Sequence, residues 1–226
     1  MIALYRLFAF IGLMAVPAAF IYGFRHDATA PIENYLYNFI LFAAFFAIHW
    51  IMMLPAVKRL ITGRPEGSAG ERRLYIFVSV VTWLAVLALH RPVPGPAYVP
   101  PEWLAFLGLC LVLLGVFAFF ENMTFAAAEG FFGVPGAAMS HTVLAPLLTE
   151  GSYARVRHPM YRGALAMGLA SLLIHPNVAQ LFWAGMIGLT FLIFIPIEEA
   201  QLLRVRGDAY RRYMEITRYR IIRGVW

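Results

Sequence analysis

Two polar clusters carry the side chains of this sequence that could bind a ligand or assist a reaction. The first is RVRHPMYRG at residues 155–163, and the second is the pair Glu198-Glu199 that follows the apolar run FLIFIPI. Two adjacent carboxylates beside an apolar run are costly unless they are paired or hydrated. They either accept hydrogen bonds from the hydroxyls or ammonium of a polar ligand, or they pair with nearby arginines.

The first cluster has the composition of a helix start. Pro159 suits the first turn, where its missing N–H is not needed, so His158 lies near the N-cap and Tyr161 in the first turn. Free N–H groups and the partial positive charge of such a start favour an anionic ligand group. Three flanking arginines have a second interpretation, which is that they bind lipid headgroups and fix the topology: Arg155, Arg157 and Arg162.

Other polar residues are weaker candidates. The stretch SHTV begins at Ser140, and Glu121 with Asn122 falls in an apolar segment, where a carboxylate is a functional candidate. His49 also lies in an apolar segment, and it could ligate a metal or haem together with His158, although their spacing gives no support for this. Motifs for phosphate loops, zinc proteases and nucleic-acid binding are absent from the sequence.

These residues belong to an unusually apolar chain. Of the 226 residues 62% are hydrophobic and 13% are charged, whereas soluble domains have about 25% charged residues. The composition predicts an all-α, polytopic integral membrane protein with a single membrane domain over residues 1–226. The lone Cys110 excludes an internal disulfide and reads as a packing residue.

A membrane span needs roughly 20 apolar residues. Four segments fit this length, a fifth is short, and a sixth is full length: 2–24, 33–54, 74–89, 103–128, 161–174 and 178–197. The turn HPN separates the last two segments, so they form a helical hairpin. The tail after Glu199 reads as a separate amphipathic helix that Gly207-Asp208 interrupts, with Asp208 capping the second piece.

The positive charges support six crossings. If the chain starts in the cytoplasm, sixteen of its eighteen Lys and Arg residues fall on the cytoplasmic side, and only Arg25 and Arg91 fall outside. Cytoplasmic loops carry such an excess. Both termini and the tail helix are therefore expected in the cytoplasm.

The C-terminal third resembles the isoprenylcysteine carboxyl methyltransferase and phospholipid methyltransferase group. The resemblance lies in two stretches. The first is TEGSYARVRHPMYRG, which has the pattern Gly-x-Tyr-x-x-x-Arg-His-Pro-x-Tyr-x-Gly, and the second is EEAQLLRVRGDAYRRY. More weakly, AIHWIMMLPAVKRLITG and ERRLYIFVSVVTWLAVLALHRPVP resemble the NnrU-like and methanethiol S-methyltransferase proteins.

The resemblance implies a membrane enzyme that uses S-adenosylmethionine, with its cofactor-binding catalytic part at residues 121–216. Glu198, Glu199 and Tyr161 become the candidate catalytic residues. The cofactor contacts carried over from the family are Tyr153, His158, Pro159, Met160, Tyr161 and Glu199, and from the upstream stretch His141, Thr142, Val143 and Leu144.

The resemblance leaves the methyl acceptor open. Carboxyl-methylating members carry an arginine just before the Glu pair, whereas residues 191–197 contain none here. A small thiol like methanethiol is the first expectation, followed by a lipid or a carboxylate, with membrane lipids as the other partner. The expected location is a bacterial inner membrane, with the active site facing the cytoplasm. The alternative is a haem-binding NnrU-like protein, such as an isomerase, in which His49 and His158 bind haem and no methyl is transferred.

Overall fold

The computed structural model describes residues 2–52, 54–63, 69–121 and 147–226, and within these ranges the chain is helical with no β-strand. An isolated antiparallel bridge pairs Ala97 with Asn177. A one-turn 3-10 helix occupies Gly151–Ala154. The α-helices are α1 Ile2–Tyr22, α2 Glu33–Ile51, α3 Pro55–Thr62, α4 Ala69–Leu89, α5 Glu102–Phe120, α6 Pro159–Ile174, α7 Val178–Arg206 and α8 Asp208–Ile216.

Five of these helices, α1, α2, α4, α5 and α7, are long and apolar enough to cross a membrane. Helix α6 is apolar but has 16 residues, which gives a length of about 24 Å at about 1.5 Å per residue. Large apolar side chains such as Phe106, Leu114 and Phe117 are exposed on α5, as expected for a helix whose solvent is lipid. The prediction of an all-α polytopic membrane protein is confirmed, with α6 the short segment.

The predicted end of the sixth segment at residue 197 is wrong. Helix α7 runs through Glu198 and Glu199 to Arg206, because the residues after the pair, AQLLRVR, are mostly strong helix formers. The break comes at Gly207, whose φ of 53° suits glycine. Gly207 is also the N-cap of α8 and no side chain caps it. The predicted capping role of Asp208 is therefore also wrong, and this carboxylate pairs with exposed Arg211 instead.

Other helix boundaries also differ from the predicted ones, because a search for apolar segments does not detect helical turns made of polar residues. Helix α4 begins at Ala69 rather than at residue 74, since its first turns contain Glu71, Arg72 and Arg73, which are compatible with a helix. The predicted segment 33–54 ends at Ile51, and the separate helix α3 follows it. Helix α5 ends at Phe120, and the predicted continuation to residue 128 lies outside the described residues.

One of two compact units comprises Met1–Ala19, Asp27–Pro94 and Met123–Ala145. In its described part, polar side chains join α2 to α4 and to the loop that follows α4. Asn38 donates to the Arg91 carbonyl and accepts from the Arg91 N–H, at 2.8 and 2.9 Å. Both ring nitrogens of His49 lie within hydrogen-bond distance of hydroxyls on α4, those of Tyr75 and Ser79.

The other unit comprises Phe20–His26, Gly95–Asn122 and Pro146–Trp226. Helices α5 and α6 pack backbone to backbone, since a Cβ on Gly163 would lie 2.6 Å from the Phe119 nitrogen. Helices α6 and α7 form the predicted hairpin, held by a 2.6 Å hydrogen bond from Gln180 to Ser171. The hairpin brings the start of α6 beside the part of α7 that contains the Glu pair, which is predicted to lie on the cytoplasmic side.

Candidate functional site

The two polar clusters of the sequence meet in the structure through Tyr161 and Glu198. The Tyr161 hydroxyl donates to Glu198 Oε2 at 2.8 Å. Its ring stacks on the His158 ring, with centroids 5.5 Å apart, and contacts the Phe191 ring at 4.7 Å. His158 is the N-cap residue of α6 and Pro159 its first residue, as the sequence predicts. Three aromatic rings are therefore in contact, and the central one, Tyr161, is hydrogen-bonded to the Glu198 carboxylate.

Glu199 faces the protein interior, and its side chain is 4% exposed. Its Oε1 accepts from Arg157 Nε at 2.6 Å and lies 3.1 Å from His158 Nε2, and its Oε2 accepts from Arg220 Nε at 2.9 Å. A carboxylate only accepts hydrogen bonds, so the contact with His158 requires a hydrogen on Nε2. Both oxygens of Glu199 are therefore occupied by protein donors.

Glu198 has free capacity, and its side chain is 34% exposed. Its Oε2 accepts from Tyr161 and lies 3.8 Å from His158 Nδ1, which is beyond hydrogen-bond distance. Within the described ranges, no hydrogen bond reaches its Oε1. Of the two carboxylates predicted to carry chemistry, Glu198 is thus the one able to accept from a ligand.

The arginines of the first cluster divide by environment. Arg157 is buried, and besides Glu199 it donates to the carbonyls of Thr217 and Arg218 at 2.8 and 2.7 Å. Its guanidinium therefore pairs within the protein rather than with lipid headgroups. Arg155 is exposed, and headgroup binding stays the prediction for it. Arg162 forms a 3.3 Å ion pair with Glu121 at the end of α5.

Tyrosines of α8 pack beside this network. The Tyr213 hydroxyl donates to the Tyr153 carbonyl at 2.8 Å, which fixes the 3-10 turn before α6. Burial raises the pKa of Tyr213, and the neighbouring Tyr153 raises it further. Burial, and then the Glu199 charge, likewise raise the pKa of Tyr210. For Tyr153 burial raises the pKa and the Glu198 charge adds to it. All three phenols are therefore neutral at physiological pH.

The structure describes only some of the remaining predicted site residues. Pro159 is buried and Met160 half-buried, both in the first turn of α6 beside His158. His141, Thr142, Val143 and Leu144 lie outside the described residues, as do Ser140 and Asn122.

The proposed haem ligands His49 and His158 belong to different compact units. The ring nitrogens of His49 face the hydroxyls of Tyr75 and Ser79, and His158 Nε2 faces Glu199. In the part of the chain that the structure describes, no three His, Cys, Asp or Glu side chains form a group that could hold a metal ion.

Two residues of the site, Phe191 and Arg220, were not predicted from the sequence. Phe191 lies two helical turns before Glu198, so its spacing on one face of α7 is a signal that could have found it. Arg220 carries no such signal, because its 2.9 Å contact with Glu199 joins residues of different segments.

Comparison with known proteins bears on the same region. The phospholipid methyltransferase family model matches residues 103–208, a range that begins in α5, contains α6 and α7, and ends as α8 begins. Comparison with curated proteins and with solved structures gave no match. The match covers slightly less than half of the chain, and it supports similarity of this region to the broad group of phospholipid and isoprenylcysteine carboxyl methyltransferase-like membrane enzymes.

Proposed function

We propose that this chain transfers a methyl group from S-adenosylmethionine to a small or lipophilic acceptor at the cytoplasmic side of a membrane. One observation carries the proposal. Inside the matched range, Glu198 is partly exposed, and its Oε1 accepts no hydrogen bond from the described residues. Its partner Tyr161 contacts the rings of His158 and Phe191.

The chemistry of these groups fits S-adenosylmethionine. When bound, this donor supplies an electrophilic methyl group on a sulfonium. The Glu198 carboxylate suits its ribose hydroxyls or its ammonium group, since a carboxylate only accepts hydrogen bonds. Aromatic faces such as those of Tyr161 and Phe191 attract a cation and stack on a flat base. The tyrosine hydroxyl holds Glu198 in place for that contact.

The residues act by binding and orientation. Methyl transfer needs the acceptor in line with the methyl group and close to it, which makes positioning the main source of rate. Glu199 is held by two arginines and His158, so it acts as a fixed support. If the acceptor is a thiol or an amine, Glu198 is our candidate for accepting its proton.

The acceptor is expected to be neutral. Residues 191–197, which lead to the Glu pair, are FLIFIPI and contain no cation for a substrate carboxylate. A thiol of the methanethiol type is our first candidate and a lipid headgroup the second. The excess of Arg and Lys predicted on one side of the membrane supports a cytoplasmic site.

Calorimetric titration of the detergent-purified protein with S-adenosylmethionine tests the proposal. We expect saturable binding that is lost in Glu198→Gln and weakened in Tyr161→Phe, because both changes remove the free carboxylate or its support. Arg155→Gln is the matched control, since this exposed side chain lies outside the contacts described above. A visible haem band without any binding of the donor would refute the methyl-transfer function.

Methyl transfer itself is measured with a radiolabelled donor and a panel of thiols, lipids and carboxylates. The proposal predicts that a thiol gives more labelled product than a prenylcysteine carboxylate does. The opposite order would contradict the neutral-acceptor argument while leaving the methyltransferase class in place.

A further inference from the structure

Residues 217–226, here called the strap, follow α8 and are bonded along the start of α6. The N–H groups of Arg157 and His158 donate to the carbonyls of Tyr219 and Arg220, at 2.9 and 2.8 Å. The strap also folds on itself, since the N–H of Arg220 donates to the Trp226 carbonyl at 2.9 Å. With Ile221 buried against the protein, the strap is a packed part of the site's structure.

Side chains reinforce these backbone bonds in both directions. Arg157 reaches from the start of α6 to the Thr217 and Arg218 carbonyls of the strap. Arg220 reaches from the strap to Glu199 Oε2, and its guanidinium also lies 5.1 Å from the Trp226 ring centroid. One carboxylate is therefore shared by an arginine before α6 and an arginine of the strap.

This sharing gives the Glu199 carboxylate one orientation. Oε1 is held by Arg157 and Oε2 by Arg220, and His158 shares Oε1. Without Arg220, Oε2 would be a buried acceptor with no donor among the residues that the structure describes, which is costly enough for the carboxylate to rotate or admit water. The imidazole that depends on Oε1 would shift with it, and so would its stacking against Tyr161.

We propose that Arg220 is a positioning residue for the methyl-donor site, which it orients through Glu199 and His158 without touching the ligand. This inference rests on the proposed function of the Tyr161–Glu198 site. It assigns the strap a role in catalysis that goes beyond packing along the start of α6.

Binding of S-adenosylhomocysteine, measured by calorimetry, tests the role of Arg220. Arg220→Gln is expected to weaken binding by roughly tenfold, because binding must then supply the free energy of re-ordering Glu199 and His158, which is about that of one charge-assisted hydrogen bond. Arg220→Lys keeps the charge and should recover part of the loss. Arg223→Gln changes an exposed residue of the same strap and should bind as the wild type does. Equal binding by Arg220→Gln and wild type would overturn the proposal.

A double-mutant cycle separates positioning through Glu199 from a merely structural effect. If Arg220 acts through Glu199, adding Arg220→Gln to Glu199→Gln weakens binding no further. If the two losses multiply, the proposed route through Glu199 is wrong. The cycle needs folded variants, which a single symmetric elution peak in detergent verifies.

If the wild type binds no methyl donor, the proposed function is wrong. Amide hydrogen exchange then still tests whether Arg220 holds the start of α6. The N–H groups of Arg157 and His158 should exchange several-fold faster in Arg220→Gln than in the wild type or in Arg223→Gln. Unchanged exchange would show that Arg220 does not hold the start of α6, whatever the ligand.

Discussion

Replacing Glu199 by Gln should destabilise the protein far more than the same replacement at Glu198. Glu199 is buried and its oxygens accept from Arg157, Arg220 and His158. A glutamine has one acceptor oxygen and presents an NH₂ donor at the other position, where a guanidinium already donates. The substitution therefore leaves at least one buried cation without its counter-charge.

The size of the effect follows from burial. Removing one partner of a buried ion pair costs about 3–5 kcal/mol. Arg220 is 29% exposed, so water can recover part of its charge and the lower end, about 3 kcal/mol, is expected. With a midpoint shift of about 2–4 °C per kcal/mol in a protein of this size, Tm should fall by about 6–12 °C. Glu198 is 34% exposed and accepts one hydroxyl, so Glu198→Gln should cost about 1 kcal/mol or less.

Thermal unfolding in one detergent, followed by intrinsic fluorescence, measures both variants. Glu199→Gln is expected to lose stability, whereas Glu198→Gln is expected to lose methyl-donor binding with little change in Tm. Equal Tm shifts for the two variants, or a larger shift for Glu198→Gln, would refute the division of roles between these neighbours.

Two further predictions concern packing and pH. Gly163→Ala places a Cβ 2.6 Å from the Phe119 backbone nitrogen and should cost about 1–3 kcal/mol. In Gly188→Ala the nearest atom is 3.9 Å away, so Tm should not fall and the better helix propensity of alanine should raise it slightly. Equal Tm values for the two variants would contradict the close contact of α5 and α6. The pKa of Tyr213 is raised by burial, so its stabilising bond to Tyr153 is fully present below about pH 10 and is lost as pH rises through the raised value. Tm measured from pH 8 to 11 should fall less steeply in Tyr213→Phe than in the wild type, and parallel curves would contradict this.

The membrane helices were predictable because each requires a long apolar run, which composition alone reveals. Their ends were less predictable wherever polar residues continue a helix, as in the first turns of α4 and beyond Glu199 in α7. Helix formation depends on propensity and packing as well as on hydropathy. Gly207, with its positive φ, marks a break that the sequence also indicated.

At the site, local chemistry was readable and tertiary pairing was not. Pro159 and His158 indicated a helix start because their preferences are local. Neighbours on a helix point about 100° apart, so Glu198 and Glu199 face different environments, but their adjacency in the sequence does not indicate which one is buried. That depends on Arg220, which reaches Glu199 from another segment of the chain.

Ultraviolet crosslinking of S-adenosylmethionine carrying a tritiated methyl group, followed by peptide mapping, tests most directly whether the donor binds at the Tyr161–Glu198 site. The account predicts label in peptides that contain residues 158–163 or 191–199, and loss of that label when S-adenosylhomocysteine competes. The account would be contradicted if the label that S-adenosylhomocysteine displaces were confined to α2 or α4, or if S-adenosylhomocysteine displaced no label at all.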